Sequence, residues 1–218
     1  MTTVAMAYSH GDDVVGRVDT DFEDKVDRDS YLVGVNQVLT PRLLANVTYE
    51  AITEDGFLAN PYRSARILGA QVPERYPRTR TSHAVALGGI YALGGDDSVR
   101  GSYRYFTDTW DIEGHTAKLG YVHPMGPFTF HLKYRYHDQT GAHFYSDLFP
   151  RAQATNFRGR DKELSALTSN TLKLQAAYEF ISDDGDVAWG FVKRAKVTAS
   201  INLLSVDYHD FSDLRPQA

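Results

Sequence analysis

From Pro127 to Gln139 the chain alternates without a slip. Phe128, Phe130, Leu132, Tyr134 and Tyr136 fall on one face, and Thr129, His131, Lys133, Arg135 and His137 on the other. A side-chain period of two predicts a β-strand with one greasy and one charged face. The apolar face extends over about ten residues, roughly what a tilted strand needs to cross a bilayer.

The same alternation recurs along the chain. Strands are predicted at Thr2–Ser9, Ser30–Leu39, Leu43–Glu50, Ser82–Leu93, Ser98–Asp108, Ile112–Val122, Pro127–Gln139, Asn170–Phe180 and Arg194–Asp207. No segment carries a helical period. Thr40-Pro41, Gly94 to Asp97 and His123 to Gly126 are turn signals, and a turn is also expected at Asp183-Asp184-Gly185-Asp186. Gly11 to Asp29, Ile52 to Thr81 and Thr140 to Thr168 are expected to be long connections, the first an exposed acidic loop. In an up-and-down antiparallel sheet alternate joins lie at the same end. Short joins at one end and long ones at the other are the asymmetry of outer-membrane barrels. Thr109-Trp110-Asp111 is a short join on the long side.

The predicted class is therefore all-β, an up-and-down antiparallel transmembrane β-barrel or partial barrel of roughly eight to ten strands. The 218 residues are expected to form one domain, and the odd strand count suggests an internal fragment of a longer barrel. No apolar run is long enough for a transmembrane helix, and Met1 to Tyr8 lacks the features of a signal peptide.

Composition narrows the function. The net charge is −5, from 23 basic and 28 acidic residues, which argues against a general nucleic-acid binder. Tyr103-Arg-Tyr and Tyr134-Arg-Tyr are not stacking platforms, because alternation sends the rings and the cation to opposite faces. There is no cysteine, so disulfides are excluded. Tyr-rich apolar faces fit a lipid boundary, where the ring is buried and the hydroxyl stays wet.

The polar faces carry the candidate chemistry. Arg100, Arg104, Lys118, His131, Lys133, Arg135, His137, Lys173, Glu179 and Lys196 are the expected lumen-lining positions. Rings of Arg and Lys are how pores select anions. The plainer reading is a packed polar interior in which Glu50, Asp108 and Glu179 pair with the cations. His131 and His137 are six residues apart, about 20 Å along a strand, so they line a lumen and do not share a metal ion. The acidic runs Asp19 to Asp29 and Asp183 to Asp186 match no EF-hand loop and read as solvated charge. His143 and Ser146 are the one pair to consider for hydrolysis, and no orienting acid is evident. No catalytic residue, cofactor or metal is expected.

Tyr76-Pro-Arg-Thr-Arg80, Tyr103-Arg-Tyr-Phe-Thr-Asp-Thr-Trp-Asp-Ile112 with His115-Thr116, Asp161-Lys-Glu-Leu-Ser165 and Val35-Asn-Gln-Val-Leu-Thr-Pro41 add a resemblance. In order and spacing they resemble a bacterial outer-membrane β-barrel family catalogued as a domain of unknown function. It covers about Ser30 to Tyr208. It implies a Gram-negative outer-membrane location, outer-membrane lipid as the surroundings and no established activity. The chain departs from the family in ending on Leu214-Arg-Pro-Gln-Ala218 instead of a strand with a terminal aromatic. The function expected is an outer-membrane barrel passing small or anionic solutes through a basic lumen. A soluble β-barrel binding a small apolar ligand, with Phe128 to Tyr134 inside, is the alternative. An outer-membrane hydrolase is a further one.

Overall fold

A computed structural model describes residues 1–67, 70–150, 156–181 and 194–211. Eleven strands are present among the described residues: β1 Thr2–Gly16, β2 Glu23–Thr40, β3 Leu43–Gly56, β4 Ser64–Ile67, β5 Ala70–Pro73, β6 Thr79–Gly94, β7 Asp97–Asp108, β8 Glu113–Met125, β9 Phe128–Gln139, β10 Leu167–Ile181 and β11 Arg194–Tyr208. Nine form one antiparallel sheet in the order β1-β2-β3-β6-β7-β8-β9-β10-β11, and β4 and β5 form a separate hairpin. β1 and β11 are the sheet's two edges and are not paired with each other. Among the described residues there is no α-helix, only a single 3₁₀ turn at Lys162–Leu164.

The strands are longer than the alternation alone suggests, and one expectation is overturned. Gly11 to Asp29 is not a loop. β1 and β2 pair through it as far as Gly16 opposite Glu23, leaving 17–22 as the connection. Charged side chains are compatible with a strand when partners stand across the ladder. His10 Nδ1 lies 2.9 Å from Asp29, and Arg28 Nη2 lies 2.5 Å from Glu54 on β3. Arg78 grips Asp24 with two bonds of 2.7 and 2.9 Å and holds that carboxyl down to about 2. The turn expected at Asp183 to Asp186 lies outside the described residues.

Alternation of joins is as expected. The short turns after β2, β6 and β8 share one end, and 17–22, 57–78, 109–112 and 140–166 share the other. The long connections are not open loops, however. They meet in an apolar cluster of Ala59, Tyr76, Trp110, Ile112, Ala142, Phe144 and Leu164, all buried. Trp110 is 3% exposed. Its ring lies edge-on to Tyr76 and Phe144, with Arg80 4.4 Å above it, and its Nε1 donates to the Thr79 carbonyl. The corner that delivers Trp110 is built by Asp108. One carboxylate oxygen accepts the backbone N–H of Trp110 and Ile112, and the other accepts Arg80 at 2.5 Å. Below them the buried Glu74 takes the Tyr76 hydroxyl and the Arg160 N–H. Burial and the Glu74 carboxylate push the Tyr76 hydroxyl upward, so it stays a proton donor. Burial likewise pushes Tyr145 up to about 12. Across the cap, Arg75 bridges to Arg158 and Ile67 to Phe149.

The two sheet faces are chemically opposite. Phe128, Phe130, Leu132, Tyr134 and Tyr136 are each between 38% and 44% exposed. They share their face with Val33, Val47, Leu87, Leu119 and Leu174, which are exposed as well. Tyr31, Tyr49 and Tyr103 lie toward the cap end of this face and Phe128 and Phe180 toward the short-turn end, while Tyr121 and Tyr134 stand opposite Leu132 and Leu119. From Phe128 to Tyr136 the strand advances about 26 Å.

Gly56, where β3 enters the cap, has φ +130°, and a Cβ there would lie 2.1 Å from the Lys25 carbonyl oxygen. Neither the backbone angle nor the backbone neighbour can yield. Gly56→Ala is expected to cost roughly 3 kcal/mol. Gly101→Ala, where a Cβ meets nothing within 4 Å, should be near neutral. Thermal unfolding of the two variants under one set of conditions checks this.

Candidate functional site

The ladder register decides which polar side chains meet. Cross-strand partners point to the same face. Arg100 on β7 is opposite Gly120 on β8, Gly120 is opposite Lys133 on β9, Lys133 is opposite Lys173 on β10, and Lys173 is opposite Asn202 on β11. One step along, Ser102, Lys118, Arg135 and Thr171 form a second row. Cations thus occupy two adjacent rows at the level where the opposite face carries Leu119, Leu132 and Leu174.

A cavity of about 430 Å³ lies over these rows. It reaches Asn46 on β3 and Asn202 on β11, so this face of the sheet is concave. Arg100, Lys118, Lys133, Arg135 and Lys173 line it, and no Asp or Glu does. None of the five is ion-paired among the described residues; Arg135 Nη1 reaches Ser169 Oγ at 3.5 Å. Like charges directly opposite oppose folding, and the belt has two such pairs, Lys118 with Arg135 and Lys133 with Lys173.

The remaining expected lumen positions have other company. Arg104 lies 3.1 Å from Glu50 and faces the Phe106 ring. His137 is 2.9 Å from the Thr116 hydroxyl and 3.3 Å from Gln139 Oε1. His131 borders a second cavity with Gln175 and Ser200, and the charges reaching it are Lys133, Arg100, Lys196 and Lys173. Glu179 and Lys196 are register partners, and Glu179 pairs with Arg194. The packed-interior reading therefore holds for part of the face. Glu50, Asp108 and Glu179 absorb Arg104, Arg80 and Arg194. They leave the belt uncompensated.

Between belt and cap lies a vestibule of about 930 Å³, lined by Arg28, Glu54, Arg80, Arg104, Tyr76 and Trp110 among others. Its arginines are all paired, to Glu54, Asp108 and Glu50. Sequence reasoning missed this chamber because its roof comes from segments read only as connections between strands. The signal was present in Trp110, Phe144 and Leu164, apolar residues inside supposed loops. The hydrolase pair is engaged elsewhere: Ser146 donates to the Leu148 carbonyl, and His143 Nδ1 faces the Trp110 carbonyl at 3.1 Å. Among the described residues no three His, Asp or Glu side chains converge as metal ligands.

Neutralising one member of a like-charge pair should relieve its repulsion. Lys133→Gln and Lys173→Gln are each expected to raise stability by roughly 0.2–1 kcal/mol. The double variant should gain less than the sum, because the two share one interaction. Denaturant unfolding of the two singles and the double at low ionic strength measures it.

No curated protein and no solved structure matches the chain. A family model described as protein of unknown function (DUF3570) matches residues 7–190. That span covers eight of the nine sheet strands in full or in large part and the whole cap. Three of the four stretches behind the resemblance, Tyr76 to Arg80, Asp108 to Ile112 and Asp161 to Ser165, meet in that cap. The chain belongs to the DUF3570 family.

Proposed function

We propose that this chain forms the wall of an outer-membrane β-barrel that passes small anionic solutes along its concave basic face. The observation that carries the reading is the inversion of the faces. Apolar and aromatic side chains cover the exposed face, while uncompensated cations line the concave one. A contiguous exposed apolar surface of this extent needs a lipid or protein cover. Tilted by about 40°, its roughly 26 Å of strand rises about 20 Å across the membrane, within the ~25 Å apolar band of membrane barrels, with aromatics toward both ends. In hydrocarbon no strand edge can stay unpaired, so this reading needs the β1 and β11 edges to be paired. The cap would sit on the long-loop side of the membrane and narrow the entrance. An apolar-ligand barrel is not favoured, because Phe128 to Tyr134 lie on the exposed face.

Two measurements test this. Leu132→Lys, at 44% exposure, should be within about 0.5 kcal/mol of neutral on a water-facing surface. Facing the bilayer midplane it should cost about 2–4 kcal/mol. Unfolding of the full-length protein from lipid vesicles separates the two, and a neutral result removes the membrane reading. In planar bilayers under a potassium chloride gradient, the reversal potential of the full-length protein should have the sign of chloride permeation. Combined Lys118→Gln, Lys133→Gln and Lys173→Gln should move it toward zero. A potential of the potassium sign contradicts the anion passage.

A further inference from the structure

We propose that the two cation rows are a discrete binding site for an oxyanion carrying two or more negative charges, such as a phosphate or a dicarboxylate. The inference rests on the concave face being a solute passage. It goes further in assigning a resting place and a class of solute.

Three features distinguish a site from a diffuse positive lining. The first is the uneven treatment of the same residue types on one wall. Near the cap, Arg28, Arg80 and Arg104 are each matched to a carboxylate, whereas Arg100, Lys118, Lys133, Arg135 and Lys173 converge on one cavity without any. A packed interior would place acids at both levels.

The second is the arrangement. Lys118 faces Arg135 and Lys133 faces Lys173 across adjacent strands, a costly juxtaposition that an anion bridging each pair turns into attraction. Gly120 stands between Arg100 and Lys133. A Cβ there would lie 3.8 Å from Arg100 Cβ and 3.7 Å from Lys133 Cγ, so the glycine leaves a recess between two cations. The strands bearing Arg100 and Lys133 are about 10 Å apart. An ion with several oxygens can fill such a recess and offer a separate acceptor to the cation on each side.

The third is the neutral rim. Ser102, Thr171, Asn46 and Asn202 line the same cavity. Their hydroxyl and amide groups offer donors to oxygens left over by the cations. Arg100 and Arg135 each present a planar fork suited to two oxygens of one anion.

The experiment is a block titration of the full-length protein in planar bilayers. Chloride current is measured while pyrophosphate, succinate or acetate is added at constant ionic strength. Pyrophosphate or succinate is expected to halve the current at a concentration at least about tenfold below that of acetate, the scale of one charge-assisted hydrogen bond. The order of pyrophosphate and succinate identifies phosphoryl or carboxylate oxygens as the preferred ligand. Lys133→Gln and Lys173→Gln should each raise the half-blocking concentration by about tenfold. Arg42→Gln, in the turn after β2, should leave it unchanged. Equal block by all three anions in a chloride-selective channel overturns the site and leaves the passage standing. If the protein conducts no anions, the passage reading falls. Calorimetry in detergent with pyrophosphate then decides the site: heat lost in Lys133→Gln supports it, and no heat overturns it.

Discussion

The unbroken antiparallel ladder from β1 to β11 is the constraint on which the rest depends. Each backbone bond to a neighbour sets the register by which side chains on nine strands fall into rows. Because the period is two, a one-residue slip in any pairing would exchange the leucines and tyrosines of that strand with its lysines and arginines. The faces are so different that such a slip would strand charge among apolar neighbours. The hydrophobic pattern and the ladder therefore enforce each other.

Charge is handled differently along the axis of the sheet. At the cap end, opposite charges stand across the strands and stitch the wall to the connections above it: Arg78 to Asp24, Arg80 to Asp108, Arg104 to Glu50. Arg80 and Asp108 also shape the corner that seats Trp110, so electrostatics and aromatic packing cooperate at one point. At mid-height the pattern reverses, and cations face cations. Folding stability does not call for that belt. It is the part of the wall where we place the proposed solute.

The cap gives the resemblance motifs a physical meaning. Asp161 accepts the Glu163 N–H at the start of the 3₁₀ turn, and Ser165 closes it by donating to the Lys162 carbonyl at 2.6 Å. That turn presents Leu164 to the cluster containing Tyr76 and Trp110. Motifs some eighty residues apart in the chain are thus parts of one small core, anchored to the ladder beneath it through Asp108 and Thr79.

The nine strands of the main sheet, the order of short and long joins, and the membership of each face were legible in the sequence, because all three follow from local period and turn chemistry; the β4–β5 hairpin, inside Ile52 to Thr81, was not. Phe128 to Tyr136 announces its apolar face without help from any other segment. The sequence did not show that Gly11 to Asp29 is paired strand, since the partners of its charges lie outside the segment: Arg78, in the connection before β6, holds Asp24, and Glu54 on β3 holds Arg28. Nor did it show that the connections fold into a cap, since Trp110 and Phe144 find each other only in space. Which cations would be left without partners was likewise undetermined: period two assigns Arg104 and Lys133 to the same face, and only register gives one of them Glu50 and the other Lys173. Period is a property of neighbours in the chain, whereas compensation of charge and closure of a core are properties of neighbours in space, and those the tertiary structure alone decided.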